Sequence, residues 1–184
     1  MIVDNSKIIL EEIAKVFSMS DFSQVKLLAD SILSSNKVVC VGAGRMGYAM
    51  KGFSMRLNHL GINSYIIGDS NVPSIGVGDL LLIGSGSGET QTICDIATIA
   101  KESGATLALI TGNPESRISW MANVEIIVRA PSKVKQVGGF ASVQPMTTLN
   151  EQCVGIFFDS LVLELMEKTG ETHETMWGRH SNLE

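Results

Sequence analysis

The sequence predicts an α/β fold in which a five-stranded parallel sheet lies between two layers of helices. Short apolar runs rich in valine, isoleucine and leucine recur along the chain, and segments with apolar residues at helical spacing separate them. The runs are apolar almost throughout, as parallel strands are when helices cover both faces of their sheet. Because 184 residues suffice for one sizeable core, we expect residues 1–184 to form a single domain.

Two helices are predicted ahead of the sheet. Apolar residues recur at helical spacing from Ile8 to Phe17 and again from Val25 to Leu33, and Ser20-Asp21 between them suits a helix N-cap. The predicted strands are Val38 to Val41, Asn63 to Ile67, Leu80 to Ile83, Thr106 to Ile110 and Val124 to Val128, with helices in the intervening segments.

The last third of the chain begins with a loop and continues as the longest helical pattern. Ala130 to Pro145 lacks periodicity and is predicted to be a long irregular loop. Met146 to Met166 follows as a helix, and its part from Cys153 onward is apolar on nearly every side, which indicates an oligomer interface. The polar tail, Glu171 to Glu184, is too polar to fold alone and is expected to dock on a neighbouring subunit.

The composition excludes several classes of function. A net charge of −5 argues against broad nucleic-acid binding. Cys40, Cys94 and Cys153 lie far apart without the spacing of metal ligands, so we expect buried free thiols and no metal. No apolar run has the length of a membrane span, and the N-terminus lacks the apolar core of a signal peptide. We therefore expect a cytoplasmic protein without a membrane partner.

The most informative segment is the loop Ser85-Gly86-Ser87-Gly88-Glu89-Thr90, which joins a predicted strand to a predicted helix. Backbone N–H groups at a helix N-terminus bind phosphate well, glycine allows a close approach, and the hydroxyls add donors. No lysine follows the second glycine, so the loop is not the phosphate loop of nucleoside triphosphatases. The alternative interpretation is a Ser/Gly-rich loop that only caps the helix.

A second glycine-rich segment, Gly42-Ala43-Gly44-Arg45-Met46-Gly47, also follows a predicted strand. It matches the G-x-G-x-x-G pattern of dinucleotide-binding domains, and Asp69 lies at about the distance of their ribose-binding acid. The pattern is weak by itself because any tight strand-to-helix turn favours these glycines. The loop at Ser85 and the two helices before the first strand do not belong to that fingerprint.

Taken together, the two glycine-rich loops resemble those of the sugar isomerase (SIS) family, whose domains are flavodoxin-like five-stranded α/β sandwiches that bind phosphorylated sugars. Four further segments resemble the 6-phospho-3-hexuloisomerase branch of that family, and the match covers nearly the whole chain. Met46 and Asn150 depart from the pattern, since many relatives have Ser and Phe there. The four segments are Arg56 to Gly61, Gly139 to Met146, Leu149 to Gln152 and Arg179 to Glu184.

The resemblance implies an isomerase that interconverts D-arabino-3-hexulose 6-phosphate and fructose 6-phosphate through an enediol, as a homotetramer without a cofactor or metal. Glu151 is then the base, since a carboxylate withdrawn from water is a stronger base. His180 would move protons between the substrate oxygens, in its own or an adjacent subunit. The alternatives are a charge that favours a helix N-terminus at Glu151 and a solvated tail residue at His180.

Other residues are assigned to substrate binding. Arg45 is a candidate partner for the phosphate or a sugar hydroxyl, and Ser85, Gly86, Ser87, Gly88, Glu89 and Thr90 form the phosphate loop. His59 is either a catalytic histidine or a packing residue at a helix C-terminus. Lys133 and its neighbour Lys135 either supply charge from the long loop or keep that loop solvated.

Two competing functions remain open. The chain could be another SIS aldose–ketose isomerase, acting on a pentose or heptose phosphate, or a sugar-phosphate sensor without catalysis. Sensors of this fold have a DNA-binding helical domain ahead of the sheet, whereas here only two helices without a basic bias precede the first strand. This difference favours the isomerase.

Overall fold

The computed structural model describes residues 1–131 and 140–183 and shows a three-layer α/β/α domain. The five strands are all parallel, in the order β2-β1-β3-β4-β5. The elements along the chain are α1 (Ile2–Met19), α2 (Val25–Ser34), β1 (Val38–Gly42), α3 (Gly44–His59), β2 (Ser64–Ile66), β3 (Leu80–Gly84), α4 (Gln91–Glu102), β4 (Thr106–Thr111), β5 (Val124–Ile127), α5 (Thr148–Thr169) and α6 (His173–Trp177).

The side chains of the central strands alternate between two apolar cores, one on each face of the sheet. Leu80 and Leu82 of β3 pack with α2, α3 and α5, while Leu81 and Ile83 pack with α4 on the opposite face. Helices therefore exclude water from both faces of the sheet, which explains why β1, β3 and β4 are almost continuous runs of apolar residues. The predicted fold class and all five predicted strands are confirmed.

The prediction of a helix between every pair of strands is wrong for two connections. Residues 67–79, between β2 and β3, and residues 112–123, between β4 and β5, form turns and loops instead. The first segment holds Pro73 and three glycines, and the second begins Gly112-Asn113-Pro114, so neither has the uninterrupted run of helix formers that a helix needs.

The longest helix begins two residues later than predicted. Met146 has a positive φ of 61°, so its backbone is left-handed and outside the helix, and α5 starts at Thr148. Nearly every turn of α5 contributes buried residues to the larger core, but Ile156 and Leu163 remain exposed. The exposed part of this apolar helix is where an oligomer contact is expected.

The C-terminal tail contacts α3 of its own chain, and its docking on a neighbouring subunit stays a prediction. Arg179 Nη1 donates a hydrogen bond of 3.0 Å to the backbone oxygen of His59, at the end of α3. The same guanidinium pairs with Glu171 at 2.7 Å, and this pair lowers the pKa of Glu171 to about 2. The tail is thereby fixed on the C-terminal end of α3.

None of the helices in the described ranges combines the length and the apolar character that crossing a membrane requires.

Candidate active site

A cavity of about 340 Å³ opens where the chain leaves the carboxyl ends of β1 and β3. In the strand order β2-β1-β3-β4-β5 these two neighbouring strands lead to opposite sides of the sheet, and ligands of open α/β sheets bind at such a switch point. The cavity is lined by both glycine-rich loops and by the start of α5. Its lining residues are Ala43, Gly44, Arg45, Met46, Gly84, Ser85, Gly86, Ser87, Thr90, Ile93, Thr147, Asn150 and Glu151.

The loop after β3 is folded by hydrogen bonds within itself. The N–H of Gly88 donates to the Ser85 hydroxyl at 3.1 Å, and the N–H of Glu89 donates to the Ser87 hydroxyl at 3.2 Å. Thr90 is the N-cap of α4, and its side chain makes no capping bond. Ser85, Gly86, Ser87 and Thr90 all line the cavity, so the N-terminal end of the helix dipole faces the space where an anion would sit.

Gly88 and Glu89 have roles away from the cavity, although both belong to the predicted phosphate loop. Gly88 has a φ of +64°, and a Cβ there would lie 1.9 Å from the Ser116 hydroxyl oxygen. Glu89 accepts hydrogen bonds from the backbone N–H and from Nε of Arg117, at 2.8 and 2.7 Å. These bonds lower the pKa of Glu89 and hold its carboxylate on the 112–123 segment.

Glu151 lies in the first turn of α5 and points into the cavity. One carboxylate oxygen, Oε2, is 3.0 Å from Nε of Arg45, and the other, Oε1, accepts a hydrogen bond of 2.8 Å from the Thr147 hydroxyl. The Glu151 side chain is only 16% exposed, whereas Arg45 is 59% exposed. Both carboxylate oxygens are thus held in place at the edge of the cavity, which is the positioning that a general base requires.

In the sequence, Asn150 stands out only as a departure from the family pattern. In the structure it is fully buried on the cavity wall, and neither of its side-chain polar atoms has a hydrogen-bond partner among the described residues. Sequence gives no signal for an unpaired amide, because pairing depends on which groups the fold brings near it.

The first glycine-rich loop is explained by close packing of α3 on the sheet. A Cβ at Gly47 would lie 2.8 Å from the Gly42 oxygen, and one at Gly42 would lie 2.9 Å from Cγ of Met50. Asp69, which a dinucleotide site would require nearby, lines a different cavity. Helix–strand contact thus accounts for Gly42 and Gly47, and a positive φ of 58° accounts for Gly44, so the pattern is explained without a dinucleotide.

His59 and His180 lie together, but they line a second cavity of about 430 Å³. Their ring centroids are 5.4 Å apart, and the ring of Trp177 stacks on His180 at 5.0 Å. His59 is buried at the end of α3, and its Nδ1 is 3.1 Å from Arg56 Nη1. Neither histidine lines the cavity of Glu151 within one chain, and Lys133 lies outside the described residues.

In the part of the chain that the structure describes, no three His, Cys, Asp or Glu side chains are grouped closely enough to hold a metal ion.

Comparison with known proteins identifies the family to which these loops belong. The SIS domain family matches residues 31–154, which include β1, both glycine-rich loops and the start of α5. This chain belongs to the SIS family. The matched range contains every residue that lines the cavity of Glu151.

Several relatives of this SIS domain have the name 3-hexulose-6-phosphate isomerase. The 3-hexulose-6-phosphate isomerase of Bacillus subtilis (strain 168) is 42% identical over 178 residues, which are 96% of this chain and 95% of the relative. The enzyme of the same name from Mycobacterium gastri is 35% identical over 183 residues, covering 100% of this chain and 92% of the relative.

A solved structure supports the same grouping of this SIS domain. It is that of a Methanococcus jannaschii protein for which a molecular function of 3-hexulose-6-phosphate isomerase was inferred. Its TM-score to this chain is 0.85 at 28% sequence identity, with 98% of this chain and 99% of that chain covered. The likeness therefore extends over the whole domain, including the tail.

Proposed function

We propose that this SIS domain interconverts D-arabino-3-hexulose 6-phosphate and fructose 6-phosphate. The observation that carries the proposal is the single cavity shared by a hydroxyl-rich helix N-terminus and a half-buried carboxylate, Glu151. The first can bind the phosphate end of a sugar, and the second can move a proton at its other end. The names of the relatives supply the sugar.

In the proposed reaction, the phosphate is held by Ser85, Ser87 and Thr90 together with backbone N–H groups at the start of α4. Glu151 removes the proton from C2 of the 3-hexulose, and the electron pair forms the C2–C3 double bond of an enediol while the C3 oxygen gains a proton. Glu151 then returns its proton to C3, and the C2 hydroxyl loses its proton to become the carbonyl of fructose 6-phosphate. The reaction moves protons only, so its electrons balance without a redox partner.

The ion pair with Arg45 suits this role for Glu151. The guanidinium holds one carboxylate oxygen in place, and the Thr147 hydroxyl holds the other. Arg45 is the more exposed partner, so an arriving phosphate or sugar hydroxyl can reach it from solvent. Part of the guanidinium's hydrogen bonding then passes to the substrate and frees Glu151 to act as a base.

The proton transfers between the substrate oxygens are assigned to His180, with His59 as the second candidate. Because both line a separate cavity within one chain, this assignment requires an adjacent subunit to bring its tail to the cavity of Glu151. We propose a homotetramer, formed in part through the exposed apolar side of α5 around Leu163. Sedimentation of a stable, active monomer at micromolar concentration would exclude this assembly.

The remaining assignments follow from the proposed reaction. Its place is the ribulose monophosphate pathway of formaldehyde fixation, in the cytoplasm. Lys133 would add positive charge near the phosphate, and this stays a prediction. The alternative substrate is another ketose phosphate of the SIS aldose–ketose isomerases, and it is favoured by one observation, the amide of Asn150 on the cavity wall.

The direct test is incubation of the protein with fructose 6-phosphate followed by ¹³C NMR. We expect resonances of 3-hexulose 6-phosphate to appear, and in deuterated water we expect loss of the carbon-bound proton at C3. Ribulose 5-phosphate and glucose 6-phosphate serve as comparison substrates. Turnover of one of these without any change in fructose 6-phosphate would contradict the proposal.

A further inference from the structure

Asn150 has an unusual environment for a buried amide. The residue is 1% exposed, and its Nδ2 and Oδ1 atoms have no hydrogen-bond partner among the described residues. Buried side-chain polar atoms in folded proteins almost always have a partner, so each exception calls for a physical explanation. An unpaired amide destabilises the chain that contains it, because the amide has given up water without any compensation.

The position of this amide gives the explanation. Asn150 lines the cavity of about 340 Å³ and directly precedes Glu151 in the first turn of α5. On its other side it meets the phosphate loop, since a Cβ added at Gly86 would lie 2.9 Å from Asn150 Oδ1. Asn150 therefore lies between the phosphate loop and the base, beside the region that the carbon chain of a bound sugar phosphate must cross.

Three other polar side chains of this wall, Ser85, Ser87 and Glu151, already have partners within the chain. The hydroxyl of Ser85 accepts a bond from Gly88, and that of Ser87 accepts one from Glu89. Both oxygens of Glu151 are engaged as well. Asn150 differs from them because both its donor and its acceptor are unused, and a sugar hydroxyl offers the matching acceptor and donor at a single atom.

We propose that Asn150 is a sugar-contacting specificity residue, whose side-chain amide forms hydrogen bonds with a hydroxyl of the bound sugar phosphate. The substrate class rests on the proposed function. Each polar atom of the amide exposes less than 1 Å² to solvent in the ligand-free chain, so the contact requires the Asn150 side chain to turn toward the cavity when the sugar phosphate binds. The free protein thus carries an unpaired amide that the substrate satisfies.

The test compares the affinities of two ligands in the variant Asn150→Leu, which has nearly the same size and no polar atom. Titration calorimetry with fructose 6-phosphate and with inorganic phosphate gives one affinity for the sugar phosphate and one for phosphate alone. We expect the affinity for fructose 6-phosphate to fall by about 3- to 10-fold, which corresponds to one or two neutral hydrogen bonds, and the phosphate affinity to stay within about twofold. We expect Tm to stay the same or rise, because the variant no longer buries an unpaired amide.

Gln152→Leu is the matched control. Gln152 follows on the same helix and also buries an unpaired side-chain oxygen, Oε1, but it does not line the cavity. We expect this variant to bind fructose 6-phosphate as the wild type does. A second variant, Asn150→Ala, has a smaller side chain and serves if leucine does not fit. In both variants the ratio of the two affinities is the quantity compared, because it does not depend on the fraction of folded protein.

If the ratio of sugar-phosphate to phosphate affinity is unchanged in both Asn150 variants, the inference is wrong. This includes the case in which both affinities fall by the same factor, which would mean that the amide only supports the loop. The outcome is separable from the proposed function. A wild-type chain that binds fructose 6-phosphate without isomerising it refutes the function and leaves the binding test of Asn150 valid. A wild-type chain that does not bind this sugar phosphate at all refutes both.

Discussion

The Nε atom of Arg45 lies 3.0 Å from Oε2 of Glu151, and this ion pair joins the two ends of the candidate active site. Arg45 belongs to the first turn of α3, and Glu151 belongs to the first turn of α5, more than one hundred residues further along the chain. The pair is partly open to solvent, so it contributes little to stability by itself. Its importance lies in orienting the carboxylate toward the space beside the phosphate loop.

The first prediction concerns this carboxylate. Glu151→Gln keeps the size of the side chain and an acceptor for Thr147, but it removes the basic oxygen. We expect kcat to fall by about 10² to 10⁴ and KM to change little, because proton transfer is lost while binding remains. Exchange of the substrate's carbon-bound proton with deuterated water should fall in parallel.

The control for this prediction is Glu167→Gln, an exposed carboxylate on the same helix. It should retain wild-type kcat. If Glu151→Gln exchanges and turns over substrate as the wild type does, Glu151 is not the base, and His59 and His180 become the first candidates.

The second prediction concerns the phosphate loop. Ser87→Ala removes a hydroxyl that faces the cavity at the N-terminus of α4. A hydrogen bond to a charged group contributes about 1.5–3 kcal/mol, so KM for the phosphorylated sugar should rise by about one to two orders of magnitude. Ser103→Ala, at the opposite end of the same helix, is the control and should leave KM unchanged. An unaltered KM in Ser87→Ala would place the phosphate elsewhere.

The third prediction concerns Gly88, whose role is in the fold. Alanine there would have a φ of +64° and a Cβ 1.9 Å from the Ser116 hydroxyl oxygen. We expect Gly88→Ala to lower the free energy of unfolding by about 2–4 kcal/mol in urea titrations. Gly52→Ala should not, since Gly52 lies within α3 with open space at its Cβ position.

A double-mutant cycle separates the two causes of this loss. Ser116→Gly removes the atoms that the new methyl group meets, so combining it with Gly88→Ala should restore the part of the free energy that steric overlap costs. The part of about 1 kcal/mol that comes from the positive φ should remain. Strict additivity of the two substitutions would show that the two sites do not meet.

The fourth prediction concerns the buried carboxylate of Glu12 on α1. Glu12 accepts hydrogen bonds from the Ser142 hydroxyl at 2.7 Å, from the N–H of Val143 at 2.8 Å and from Nε2 of Gln144 at 2.9 Å. Burial alone would raise the pKa of Glu12, but the three hydrogen bonds outweigh it and lower the pKa below its ordinary value of 4.5. The carboxylate thus fixes the segment that leads into α5.

Since the pKa of Glu12 is lower in the folded than in the unfolded chain, its contribution to stability is complete above about pH 5 and is lost as the pH falls through the folded pKa. We expect Glu12→Gln to lower the free energy of unfolding by about 1–3 kcal/mol at neutral pH and by less near pH 3. Glu11→Gln, on the exposed side of α1, should show no such difference. A constant difference between wild type and Glu12→Gln over this range would contradict the assignment.

The strands of this protein could be predicted from the sequence because their signal is local. Each central strand must be apolar on both faces, so a continuous apolar run identifies it without knowledge of its neighbours. The loop from Ser85 to Thr90 could be predicted for the same reason. Glycines and hydroxyl side chains at a strand-to-helix turn indicate a site where backbone N–H groups can bind an anion. Proline is also a local signal. Pro73 lies between β2 and β3 and Pro114 lies between β4 and β5, the two connections in which the predicted helices do not form.

The sequence by itself thus determined the α/β class, the strands and the cavity's two loops, since these depend on residues close together in the chain. Tertiary structure alone decided that Glu89 pairs with Arg117, that Glu12 holds Ser142, and that the amide of Asn150 lies unpaired beside the phosphate loop. Each of these depends on segments that meet only when the whole sheet and both cores have formed. No local pattern records which distant group will be within hydrogen-bond distance, because packing of the entire domain sets that distance.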